Sequence, residues 1–105
     1  SNASLMALTG DPVKADEALR IGLVSKVVEA EELVATAQAI AARIAGNPPH
    51  AVRLTKQLLR GSERNSLDEM LDKSAAFQAI CHAEPDHHEA IAAFFDKRSG
   101  AYRKD

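Results

Sequence analysis

With 105 residues, 46% of them hydrophobic and 27% charged, the chain suits one small domain or part of a larger one. A net charge of −2 with a pI of about 6.1 argues against a general nucleic-acid binder, which needs a strongly basic face. No apolar run reaches the roughly 18 to 20 residues of a membrane span, and no basic segment followed by an apolar one reads as an export signal.

A single cysteine, Cys81, leaves no internal disulfide and fits a reducing compartment, so a cytoplasmic location is expected. Much of the hydrophobic fraction is alanine, which buries little area, so the core is expected to be thin. Such a chain is expected to lean on a partner subunit or on a companion domain. Ser1-Asn2-Ala3 reads as a tag-cleavage scar over residues 1–3, and the abrupt start at Ser4 suggests that 4–105 continue from an upstream part.

Leu5-Met6-Ala7-Leu8 is a short apolar lead-in, helix or strand, stopped by Thr9-Gly10-Asp11-Pro12. Asp16 to Ile21 reads as a short helix closed by Gly22, with Leu23 placed for the apolar contact of a glycine cap. Leu23-Val24 and Val27-Val28 are too brief to found a sheet and read as a lone strand or an irregular link. Glu31 to Ala45 carries Leu33, Ala37, Ile40 and Ile44 at the helical period, and Gly46-Asn47-Pro48-Pro49 ends it.

His50 to Arg60 is the next helix, with Val52, Thr55, Leu58 and Leu59 as its apolar side and Gly61 as its breaker. Ser66 and Glu69 form a capping box. The helix it opens carries Leu67, Met70, Leu71, Ser74, Phe77 and Cys81 on one stripe, running to about His82. Asp86 with Glu89 repeats the same spacing, and the final helix runs to Arg98, with Ile91, Phe94 and Phe95 as its buried edge. Ser99-Gly100 stops it, leaving a short charged tail. The fold class expected is all-α, or nearly so, with about five helices.

Cys81, His82, Glu84, Asp86, His87, His88 and Glu89 include metal-ligating atoms. Zinc sites want paired ligands at defined spacing, whereas adjacent His87 and His88 point about 100° apart on a helix. The cluster therefore reads as a solvated helix junction, Cys81 as a small core residue, and no metal site is expected. No nucleophile elbow, Gly-rich phosphate loop or His-Glu-x-x-His motif is present, so no self-contained set of catalytic residues is expected. Glu29, Glu31 and Glu32 read as a solvated helix start, and Arg53, Lys56 and Arg60 as the wet face of an amphipathic helix. Phe94-Phe95-Asp96-Lys97-Arg98 is harder to assign. Aromatic rings beside cations suit an interface anchor, and equally a nucleotide that needs a stacking surface and a phosphate counter-charge.

Two stretches carry a family resemblance. Leu8-Thr9-Gly10-Asp11-Pro12-Val13-Lys14-Ala15-Asp16-Glu17-Ala18, followed by Gly22-Leu23-Val24-Ser25-Lys26-Val27-Val28, resembles the entry to the C-terminal helical region of the enoyl-CoA hydratase/isomerase (crotonase) family. Pro48, Ala51-Val52 and Lys56 match the helix that follows, and Ala93-Phe94-Phe95-Asp96-Lys97-Arg98 resembles the family's closing motif.

The resemblance implies an oligomerisation region, a trimer or hexamer in the parent enzyme, that covers the CoA end of an acyl-CoA site. Phe94 would flank the adenine and Lys97 would meet a CoA phosphate. The family's oxyanion hole and catalytic carboxylates belong to an N-terminal core outside these residues. CoA is then part of the substrate, and no separate cofactor is expected. The isolated chain is expected to self-associate and to be inactive. The other reading is a stand-alone helical module that binds protein, with neither nucleic acid nor membrane as partner.

Overall fold

The computed structural model describes residues 1–102. Among these there are six α-helices and one short 3-10 turn, with no strand. The chain divides into two compact units, Ser1–Ala37 and the remainder from Gln38.

In the first unit, the lead-in is helical: α1 covers Asn2–Thr9. It ends at Gly10, whose φ of 69° lets its N–H reach the Met6 carbonyl at 3.1 Å. α2 (Ala15–Arg20) is one turn and a half, and Ala18 is its buried residue. It closes as the Gly22-Leu23 signature predicts: Gly22 takes φ 76°, its N–H bonds the Leu19 carbonyl, and the Leu23 N–H bonds the Ala18 carbonyl at 2.8 Å. The segment after it forms no ladder and is an irregular link. A 3-10 turn at Ala30–Glu32 then leads into α3 (Leu33–Ala45), which starts in the first unit and continues into the second. The apolar stripe of α3 keeps the predicted period but faces solvent, with Leu33, Val34, Ile40 and Ile44 all exposed.

In the second unit, α5 (Leu67–Ala83) packs on both α4 (Pro49–Gly61) and α6 (Pro85–Phe95). Pro49 occupies the first turn of α4, where a missing N–H costs nothing. The buried face of α4 is rotated from the predicted one. Leu54 is buried; Ala51 and, from the predicted side, Val52 and Leu58 are half-buried; Thr55 and Leu59 are exposed. Positions 51, 54 and 58 follow the i, i+3, i+7 rule as well as the predicted set does, and packing against α5 selects them. Gly61 remains helical and brings its backbone close to the Met70 thioether.

The Ser66 capping box forms as predicted: the Ser66 N–H donates to Glu69 Oε2 at 2.7 Å and the Glu69 N–H to Ser66 Oγ at 3.3 Å. Along α5 the inward positions are Met70, Phe77 and Cys81, half-buried, whereas Leu67, Leu71 and Ser74 of the predicted stripe are exposed.

α6 departs most from expectation. It begins at Pro85 with Glu84 as a cap whose side chain makes no capping bond, and it stops at Phe95, three residues before Arg98. The expected Asp86–Glu89 box does not form, because Pro85 takes the first helical position and Glu89 bonds Arg98 instead. Nor are Phe94 and Phe95 its buried edge: they are 78% and 76% exposed, Ile91 is exposed too, and Ala93 is buried at 3%. α6 packs on α5 and buries Ala93, while both rings stay outside. Ala18, Leu54 and Ala93 are the only buried side chains among the described residues, so the core is thin as composition predicts.

Candidate functional site

The end of α6 brings together the residues singled out in the sequence. The Phe94 and Phe95 rings meet edge to face, with centroids 5.7 Å apart and planes at 76°, a favourable arrangement for two quadrupoles. Both remain open to solvent, so each retains area for a partner or a ligand. Behind them the helix closes through Asp96, whose N–H donates to the Ala92 carbonyl at 2.9 Å. Lys97 then turns left-handed at φ 52°, the only such non-glycine position among the described residues. Its N–H donates to the Phe94 carbonyl at 3.3 Å, and the Arg98 N–H donates to the Ala93 carbonyl at 3.0 Å.

Arg98 reaches back across this cap. Its Nη1 and Nη2 donate to the two carboxylate oxygens of Glu89 at 2.6 and 3.1 Å, a planar fork matched to a carboxylate. Its Nε donates to Asp96 Oδ2 at 3.2 Å. Glu89 Oε1 also accepts the Ala101 N–H at 2.8 Å, which ties the chain beyond the cap to the middle of α6. The Arg98 guanidinium first, and the Ala101 N–H second, hold the Glu89 carboxyl down at about 2. The same carboxylate raises the pKa of Arg98 further, so its charge is permanent. Beyond the fork, Gly100, Ala101 and Tyr102 line a groove of about 420 Å³ with Ala42, Gly46 and Pro49. The predicted charged tail, Arg103, Lys104 and Asp105, lies outside the described residues.

Glu89 and Arg98 are thus part of the site, and sequence reasoning gave them no joint role. A separation of nine residues is not a neighbour spacing on a helix, and the pairing exists only because the chain reverses at Lys97.

The junction of α5 and α6 is a separate place. His50 Nδ1 lies 3.0 Å from Glu84 Oε1, and the His82 and His87 rings are 4.5 Å apart between centroids. His50, Cys81, Glu84, Asp86 and His87 line a cavity of about 80 Å³. Among the described residues no three His, Cys, Asp or Glu side chains converge as a cation site. Cys81 is a half-buried free thiol on this wall rather than a core residue. Arg53, Lys56 and Arg60 lie along the exposed side of α4, and Glu29, Glu31 and Glu32 are exposed at the start of the 3-10 turn and α3.

The profile described as enoyl-CoA hydratase/isomerase matches residues 1–105. The chain belongs to the enoyl-CoA hydratase/isomerase family.

Its relatives include a short-chain-enoyl-CoA hydratase of Clostridium acetobutylicum, 42% identical over 96 residues, a match covering 91% of this chain and 37% of that one. A 1,2-epoxyphenylacetyl-CoA isomerase of Escherichia coli is 35% identical over 94 residues, covering 90% of this chain and 36% of that one. Among solved structures, an enoyl-CoA hydratase from Bacillus anthracis matches with a TM-score of 0.94 at 31% identity, covering all of this chain and 41% of that one. The chain therefore spans well under half the length of the relatives it matches. Among the described residues no helix is long and apolar enough to cross a membrane.

Proposed function

We propose that this chain is the C-terminal helical part of a cytoplasmic enzyme acting on acyl-CoA thioesters, where it mediates self-assembly and covers the CoA end of the site. In this reading Phe94 flanks the adenine ring and Lys97 meets a CoA phosphate, while Phe95 serves packing. The groups that polarise the thioester belong to the part of the family fold these residues do not include. Hydratases and an isomerase both stand among the relatives, so the acyl chemistry follows from that other part.

The observation that carries the reading is the exposure of Phe94 and Phe95 on the last turn of α6, just before the left-handed Lys97. Rings of this size left open to water suit a surface that something else covers. The open stripe of α3 supports self-assembly on the same ground. In an enzyme extended to the full length of its relatives, Lys97→Ala is expected to weaken CoA binding about tenfold, the scale of one charge-assisted contact to phosphate. Titration calorimetry giving an unchanged CoA affinity would return Lys97 to an ordinary surface charge. The isolated chain is expected not to hydrate crotonyl-CoA, and turnover by it would overturn the placement of the catalytic groups elsewhere.

A further inference from the structure

A left-handed conformation is costly for any residue with a Cβ, yet the chain places lysine where glycine would reverse it freely. Lysine at that position keeps a long cationic side chain at the turn, where its N–H bonds the Phe94 carbonyl. Beyond the backbone bonds of the cap itself, the side-chain contacts at the turn gather on the Glu89–Arg98 pair. Arg98, the residue after Lys97, forks onto Glu89; Asp96, the residue before it, accepts the same guanidinium. Ala101, further along, donates its N–H to Glu89. Lys97 is bracketed on both sides by groups tied to the Glu89–Arg98 pair, while its own ammonium makes no ion pair among the described residues. Glu89 is half-buried, so the fork is shielded more than a fully exposed pair would be. Backbone strain held in place by surrounding bonds is typical of positions that present a side chain for use.

We propose that Glu89 and Arg98 are positioning residues for CoA recognition: their fork across the end of α6 locks Lys97 left-handed and so fixes the direction in which its side chain leaves the turn. The inference rests on the reading of Lys97 and Phe94 as CoA contacts and adds what aims them. Neither Glu89 nor Arg98 touches CoA itself; both act through Lys97.

The test is a double-mutant cycle on CoA affinity in the full-length enzyme, read by calorimetry with CoA itself as the probe. Glu89→Gln keeps the shape of the side chain and one acceptor oxygen but removes the charge that grips Arg98. Lys97→Ala is expected to raise Kd about tenfold and Glu89→Gln about three- to fivefold, with the double variant within about twofold of Lys97→Ala alone, because both remove one interaction. Losses that multiply instead would show Glu89 acting independently of Lys97, as a plain structural cap, and would overturn the inference. So would an unchanged affinity in Glu89→Gln when Lys97→Ala is impaired. No effect of Lys97→Ala itself is a different result, because it removes the CoA reading beneath. Arg98→Lys, which keeps the cation but loses the fork, is the second variant and should follow Glu89→Gln. In the chain itself, the Arg98 amide should exchange with solvent faster in Glu89→Gln than in the parent; equal rates would show that the fork does not hold the turn.

Discussion

Two helix ends in this chain close by the same backbone geometry with different residues. At the end of α2, Gly22 turns left-handed at φ 76° and the next N–H, from Leu23, returns to the Ala18 carbonyl. At the end of α6, Lys97 does so at φ 52° and the next N–H, from Arg98, returns to the Ala93 carbonyl. In both, the alanine that accepts the outer bond is a buried residue, 7% exposed at Ala18 and 3% at Ala93. In both an arginine forks onto a glutamate. In α2 the pair is internal to the helix, Arg20 to Glu17 at 2.6 Å for each arm. In α6 it crosses the cap and ties the chain beyond it to the helix. A glycine reverses the chain without help, so its fork need hold nothing. A lysine reverses it only against its own Cβ, and there the fork spans the reversal.

The largest effect that tests this contrast is Gly22→Ala. A Cβ built there meets nothing within 4 Å, so the cost is dihedral alone, about 1–2 kcal/mol. Exchange of the Leu23 amide should then accelerate roughly tenfold. An unaltered rate would mean that the α2 cap does not depend on the glycine conformation, and the comparison would fail at its simpler end.

Lys97→Gly should act in the opposite direction and less strongly. Relief of the left-handed penalty outweighs the added freedom of the unfolded chain by roughly 0.5–1 kcal/mol. The Arg98 amide should therefore exchange about two- to fivefold more slowly. The same variant should weaken CoA binding in the full-length enzyme, so that stability and recognition move apart. A variant that gained neither protection nor stability would show that the clamp already removes the strain.

The contrast also separates what could be read in the residues from what could not. The α2 cap was legible because Gly22-Leu23 after a short amphipathic run is a backbone signal. The α6 cap was not, since lysine carries no such signal and Glu89 and Arg98 are nine residues apart. The Ser66–Glu69 box was legible; the equal spacing of Asp86 and Glu89 misled, because Pro85 and Arg98 compete for the roles involved. The all-helical class and the α3 stripe followed from period alone. The buried edge of α6 did not, because bulk suggested that the phenylalanines go inside, whereas the buried position is Ala93. The family order of motifs was legible throughout, and it pointed to Phe94 and Lys97 without revealing how they are held.

The smallest expected effect lies in the titration of Glu89. Its carboxyl is held at about 2, against 4.5 for an ordinary glutamate. A carboxylate whose folded value is depressed contributes stability that is fully present above the ordinary value and is lost as pH falls through the folded one. The stability carried by the tie between α6 and Ala101 should therefore be full at neutral pH and fall as pH drops below about 4.5, with the carboxylate itself half protonated near pH 2 and the tie lost below that. Carbon NMR of the Glu89 carboxyl should give a midpoint near 2, with faster exchange of the Ala101 amide over the same window once the intrinsic pH dependence is removed. In Arg98→Ala the midpoint should move up toward the ordinary range, but not all the way, since the Ala101 N–H still favours the ionised form. The Glu17 carboxyl in α2, also lowered by its arginine, is the internal control: it should not respond to Arg98→Ala. A Glu89 midpoint that stayed low without Arg98 would assign the depression to the backbone donor, and the lysine turn would then be held by the chain beyond it rather than by the fork.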